Sequence, residues 1–174
     1  MLGFGTLTHG NQLRLVAVNG TARVAIWDEP TTQRLLSQFP AVERRLKLAA
    51  DRHQALVGAV MGCLGDRLDE STRRDLMGRL ALRHLVSGTV FAEVGDPFPG
   101  LLLMGAGTIE VGTDAVTQLS PGEFLFPDLV VAPSRCPSRV TAGEGGALVL
   151  VADRATTQEL ILTVPSLLEL FSEA

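Results

Sequence analysis

Apolar residues along this chain alternate in short bursts, give way to a long helical spacing, and then return as a series of strand-length runs. Leu-Arg-Leu-Val-Ala-Val at residues 13–18 and Ala-Arg-Val-Ala-Ile-Trp at 22–27 flank Asn19-Gly20. Asn-Gly between two alternating runs predicts a β-hairpin, because both turn positions take positive φ. Asp28 to Thr31 supplies a helix start with Pro30 in the first turn, and that helix is expected through Phe39, stopping at Pro40. From Ala41 to Leu64 a long helix is expected, in which Leu46, Ala50, His53, Val57, Val60 and Leu64 follow steps of four and three. Such spacing is the seam of a coiled coil, or else a stripe that covers a neighbouring sheet. Asp69-Glu70-Ser71 caps a further helix through about Leu80. Strands are then expected at 82–86, 89–94, 101–105, 108–111, 115–119, near 124–126, at 138–142 and at 147–151. Turn residues punctuate them at the cadence of an antiparallel sandwich or barrel. A short helix, Thr156 to Val164, and a terminal turn after Pro165 close the pattern.

The end of the chain echoes its beginning. Gly20, Ala22, Val24, Asp28, Thr31-Thr32-Gln33, Leu35 and Pro40 return 125 positions later as Gly145, Ala147, Val149, Asp153, Thr156-Thr157-Gln158, Leu160 and Pro165. Each copy reads as apolar strand, acidic turn, short amphipathic helix and proline. A repeat of this length implies two copies of one domain. Residues 1–65 are expected to be a partial first copy, made of hairpin, short helix and long helix. Residues 66–174 are expected to be a nearly complete second copy.

Composition narrows the class. With 174 residues and 46% hydrophobic content, the chain has enough for one packed domain and part of another. No run approaches the roughly 18 apolar residues that would span a bilayer, and the start has no basic region ahead of an apolar stretch, so no secretory signal is expected. Cys63 and Cys136 lie far apart in no metal or redox motif, which points to reduced thiols and a cytoplasmic setting. Charge is uneven: residues 1–83 carry twelve Lys or Arg against eight Asp or Glu, and residues 84–174 carry three against eleven. That acidic second half disfavours nucleic acid and anionic membranes as partners and suits a basic surface, such as the first half of a neighbouring copy.

Read in order, Glu93-Val94-Gly95-Asp96, Leu101-Leu102-Leu103-Met104, Gly107-Thr108-Ile109-Glu110-Val111, Leu119-Ser120-Pro121-Gly122-Glu123-Phe124 and Leu148 to Val151 with Asp153-Arg154 resemble the cyclic-nucleotide-binding domain family. The resemblance covers residues 67–171 and implies a mainly β fold with flanking α helices, a jelly-roll β-barrel of the cyclic-nucleotide-binding type. Residues 13–65 look like the last strands and helices of a preceding copy. In the family, a Gly-Glu pair follows the Pro-Gly-acidic-aromatic step, the Glu holding the ribose hydroxyl, and an Arg farther on clamps the cyclic phosphate. Here Phe126 and Pro127 stand at the Gly-Glu positions and Cys136 at the Arg position. Pro127 removes a backbone donor from any phosphate seat, and Phe126 replaces the residue that allows close backbone approach. Retained binding would have to use Asp128, Arg135 or Arg139.

Other chemistry finds little support. A metal-binding barrel needs clustered His and Glu, whereas His9, His53 and His84 are scattered. Neither cysteine has an activating neighbourhood, and Asp28-Glu29 and Asp153-Arg154 read as helix starts. Relatives that regulate transcription carry a helix-turn-helix after the barrel, and none is expected before Ala174. The reading is therefore a non-enzymatic regulatory or scaffold module that makes protein contacts and uses no cofactor, cyclic nucleotides included. Its alternative is a sensor for a cyclic nucleotide or another small anion. A homo-oligomer or larger protein assembly is expected, joined along the stripe from Leu46 to Leu64.

Overall fold

The leucine run at 101–104 and the run at 147–151 find each other across an antiparallel ladder. The computed structural model describes residues 20, 21, 23, 25–112, 115–131 and 134–173. Strand β3 (Gly100–Val111) pairs with β5 (Val140–Asp153) along nearly its whole length, with Leu101 opposite Ala152, Leu103 opposite Leu150 and Val111 opposite Val140. Leu101 to Met104 and Leu148 to Leu150 are fully buried. Cover on both faces is why these segments read as continuous apolar runs instead of alternating ones. The register shifts twice, between Met104 and Ala106 and between Gly107 and Ile109, and residues 143–146 stand opposite Thr108 alone. Gly107, Gly145 and Gly146 hold positive φ there, which glycine adopts without a Cβ penalty.

These bulges correct one expectation. The strands expected separately at 101–105 and 108–111 are one bent strand, and so are those expected at 138–142 and 147–151, because the intervening glycines bend the ladder without reversing it. One edge of β5 carries β1 (Ala81–Leu85) beside 147–151 and β2 (Val90–Ala92) beside 140–141. The far edge of β3 carries β4 (Thr117–Leu119). The result is an antiparallel sheet of order β1-β5-β3-β4, with β2 also on β5, flanked by helices. The strand expected near 124–126 is reduced to a single bridge between Phe124 and Leu103.

Helix α1 (Glu29–Ser37) and α2 (Pro40–Met61) precede this sheet. Pro40 opens α2, where a missing N–H costs nothing. Gly62 then leaves helical geometry, and α3 (Cys63–Arg67) and α4 (Glu70–Arg79) follow. Asp69 caps α4 by accepting from the Ser71 and Thr72 amides. After β4 come α5 (Pro127–Val131) and, beyond β5, α6 (Arg154–Thr163) and α7 (Ser166–Glu173). The first strand of the hairpin expected at 13–27 lies outside the described residues, and the described residues of its second run form no strand.

The repeat is visible in backbone detail. Asp28 caps α1 through the Thr31 amide at 2.8 Å, and Asp153 caps α6 through the Thr156 amide at 2.8 Å. These hydrogen bonds pull both carboxyls below their ordinary pKa. Thr32 and Thr157 each donate a hydroxyl proton back to the cap carbonyl, at 2.8 and 2.6 Å. Phe39 (φ −134°, ψ 69°), which follows the Gln38 C-cap of α1, and Val164 (φ −130°, ψ 76°), the C-cap of α6, hold the same conformation ahead of the repeated proline.

Helix α2 is seated on the sheet by glycines. A Cβ on Gly58 would stand 1.6 Å from the Gly105 carbonyl oxygen of β3, and one on Gly62 would stand 2.4 Å from the Gly122 Cα. Ala55 and Ala59 fill the same buried face. The matched pair Gly58→Ala and Gly78→Ala separates this contact from helix propensity. Alanine favours a helix interior by about 1 kcal/mol, and a Cβ at exposed Gly78 in α4 meets nothing within 4 Å. Gly78→Ala should raise the melting temperature. Gly58→Ala should lower it, since overpacking against backbone costs about 1–3 kcal/mol. Equal shifts for the two variants in thermal denaturation would contradict the seating.

Candidate functional site

The segment from Ser120 to Arg139 is where a ligand seat would lie, and the structure fixes it by strapping its front to β3. The Gly122 amide donates to the Met104 carbonyl at 2.7 Å, the Met104 amide to the Glu123 carbonyl at 2.9 Å and the Leu125 amide to the Leu102 carbonyl at 3.0 Å. Gly122 has φ +89°, and Glu123 closes the turn by accepting from the Ser120 amide at 2.7 Å. Phe126 follows with φ +46°, the one non-glycine residue among those described with positive φ. That conformation costs an L-residue with a side chain roughly 1–2 kcal/mol. The backbone here takes a left-handed turn of the kind that glycine adopts most easily, with a phenylalanine in the position. The Phe126 ring packs edge-on against the buried ring of Phe98, with centroids 5.9 Å apart.

The far side of the segment pairs with residues 95–98. The Phe98 amide donates to the Ser134 carbonyl at 3.1 Å, the Cys136 amide to the Asp96 carbonyl at 2.8 Å and the Gly95 amide to the Cys136 carbonyl at 2.9 Å. Cys136 is buried, and burial followed by the nearby Asp96 charge pushes its thiol pKa up. At neutral pH this position presents a neutral S–H beside a carboxylate, which offers no attraction to an anion.

The structure brings Arg135 and Arg139 to the same turn, residues 93–95. Arg135 is exposed, and its Nη1 donates to the Gly95 carbonyl at 2.7 Å. Arg139 Nε lies 3.5 Å from Glu93 Oε1. It is buried and makes no aligned hydrogen bond, so the contact is an ion pair only. Asp128 sits apart from both, exposed in the first turn of α5. Along the expected interface stripe, Ala50 and Leu64 are buried in this chain's own core. Leu46, Val57 and Val60 are half-buried and His53 is exposed. His84 is exposed on β1, and His9 lies outside the described residues. Among the described residues no three His, Cys, Asp or Glu side chains are grouped to hold a metal ion.

No family model matches the sequence, and no curated protein does. Solved structures do match the fold. The N-terminal domain of a transcriptional regulator from Streptomyces coelicolor aligns at a TM-score of 0.55 and 16% identity, over 67% of this chain and 89% of that one. The catabolite activator protein of Thermus thermophilus aligns at 0.55 and 17%, over 63% and 55%. A protein of Geobacter metallireducens to which cyclic-nucleotide binding has been attributed aligns at 0.54 and 15%, over 66% and 86%. The chain has the cyclic-nucleotide-binding fold. On that fold, the Phe98 contact and the Asp96 charge beside Cys136 are the features that sequence reasoning missed. Phe98 carried a signal only as an apolar residue between Pro97 and Pro99.

The geometry makes Cys136 inert. In a Cys63→Ser variant, iodoacetamide should label Cys136 far more slowly in the native protein at neutral pH than in urea. Equal rates would mean that the thiol is exposed.

Proposed function

We propose that this chain is a non-catalytic regulatory or scaffold module. It uses a cyclic-nucleotide-binding fold to make protein contacts and takes no cyclic nucleotide or other cofactor. The observation that carries this reading is the neutral, buried thiol of Cys136 at the position where the resemblance places a phosphate-binding Arg. Phe126 packed edge-on against Phe98 and Pro127 without an N–H support it, since a phosphate seat needs converging backbone donors. Arg135 and Arg139 are already engaged with Gly95 and Glu93, so recruiting either one to a ligand would cost those contacts. Among the described residues no helix is long and apolar enough to cross a membrane; the module is placed in the cytoplasm by its two cysteines, which form no redox or metal motif. The uneven charge suits contacts with protein surfaces and disfavours nucleic acid. Self-association along α2 would use Leu46, Val57 and Val60, since Ala50 and Leu64 are spent on the core.

Calorimetric titration with cyclic AMP, cyclic GMP and cyclic dinucleotides tests the reading. No binding heat is expected with ligand in the millimolar range. Micromolar affinity would overturn it. Loss of that affinity on Arg135→Ala would then assign the chain to the sensor class.

A further inference from the structure

Helices α2 and α4 leave between them a recess of about 380 Å³ that is lined in part by apolar side chains and in part by guanidinium groups. Leu56, Val60 and Met77 supply the apolar part, and Arg52, Arg73 and Arg74 the charge. Glu70 is the one carboxylate among the described residues that line it. Backbone carbonyls hold two of the guanidiniums in place. Arg52 Nη2 donates to the Met77 carbonyl at 3.0 Å, and Arg73 Nη1 to the Gly65 carbonyl at 2.9 Å. Both side chains are half-buried, so they have little rotamer freedom left to lose on binding. Arg74 pairs with Glu70 one turn away, both exposed, a contact weak enough to be exchanged for another carboxylate. Gly78 adds no side chain, and a Cβ built there meets nothing within 4 Å. The lining residues recur at helical spacing, from Arg52 to Val60 on α2 and from Glu70 to Gly78 on α4, so the recess is a groove about 12 Å long.

We propose that this groove receives α7 of a second copy of the chain, with Leu168 against Leu56, Val60 and Met77 and Glu169 against Arg73 and Arg74. The inference rests on the reading of the chain as a protein-contact module. Helix α7 has 8 residues, about 12 Å, the length of the groove. Its inner side is committed, since Leu167, Leu170 and Phe171 are buried in the core of their own chain. Its outer side carries Leu168, 40% exposed, next to exposed Glu169, and the helix contains no Lys or Arg. An apolar anchor flanked by an acid is the complement of an apolar groove flanked by guanidiniums. Charge also selects the arrangement. Two grooves placed face to face would set guanidiniums against guanidiniums, which repel. Residues 1–83 carry twelve Lys or Arg against eight acids and residues 84–174 three against eleven, so the basic half of one copy suits the acidic half of the next. The contact is therefore head to tail, unlike a pairing of α2 with its twin.

Two variants that leave the core alone test this. Gly78→Phe fills the groove from a position with room for a side chain, and Glu169→Arg reverses the charge that α7 brings. In light scattering and sedimentation velocity the wild type should associate as concentration rises from micromolar to near-millimolar. Association should weaken about tenfold towards about 1 M salt, where the Debye length falls to about 3 Å. Each variant alone should stay monomeric over the same range, with the melting transition retained. Mixed together, the two should form a one-to-one complex, because Gly78→Phe keeps its α7 and Glu169→Arg keeps its groove. A monomeric wild type would overturn the proposal. So would association that either variant leaves unchanged, or a mixture in which no complex forms. If Gly78→Phe does not fold, Arg74→Glu replaces it in every arm, since Arg74 is exposed and its contact with Glu70 lies within α4. A monomeric wild type that still gives no heat with cyclic nucleotides would sink this contact alone and leave the module reading standing.

Discussion

The ladder between β3 and β5 is the constraint on which the rest of the structure depends. Its apolar side chains are covered on both faces, and each fully buried leucine or valine contributes roughly 1.5–3 kcal/mol. Every other strand pairs with one of these two. The Thr157 hydroxyl of α6 takes the Leu101 amide at the ladder's start. The candidate site is tied to it through Leu102 and Met104. Helix α2 can lie against it only because Gly105 presents no side chain. The glycine bulges matter for the same reason, since they let two strands bend far enough to carry β1 at one end and β4 at the other.

The repeated segment shows how local and tertiary information divide. Asp28 and Asp153 start their helices in nearly the same conformation, and Phe39 and Val164, each just ahead of the repeated proline, are also nearly alike. A cap, two threonines and a proline suffice to write this element, whatever packs on it. Burial is decided elsewhere. Leu160 is fully buried while Leu35 is half exposed, because α6 packs on β3 and, among the described residues, no strand packs on α1 in that way.

Much of the fold was legible in the pattern of residues. The caps at Asp28, Asp69 and Asp153, the long helix and the leucine strand each carry a local signal. Two features were not legible. The stripe from Leu46 to Leu64 meets the buried face of α2 only at Ala50 and runs on through half-buried Val57 and Val60, whereas that face continues through Ala55, Gly58 and Ala59. Close approach to a strand backbone rewards small side chains, which a hydrophobic period underweights. Positive φ at Phe126 gives no signal in the residue itself, only in its register after Pro121-Gly122. At the candidate site the identities of Asp128, Arg135 and Arg139 could be read, but their partners, set by the 93–98 turn, could not.

If the chain works without a cyclic nucleotide, as proposed, its core must stand without a ligand. Native-state amide hydrogen exchange on the ligand-free chain measures this most directly. The amides of Leu102 to Met104 and Leu148 to Val151 should exchange only through global unfolding, at the free energy that denaturant titration gives. Faster exchange of those amides by local opening, slowed on adding cyclic AMP, would contradict the account.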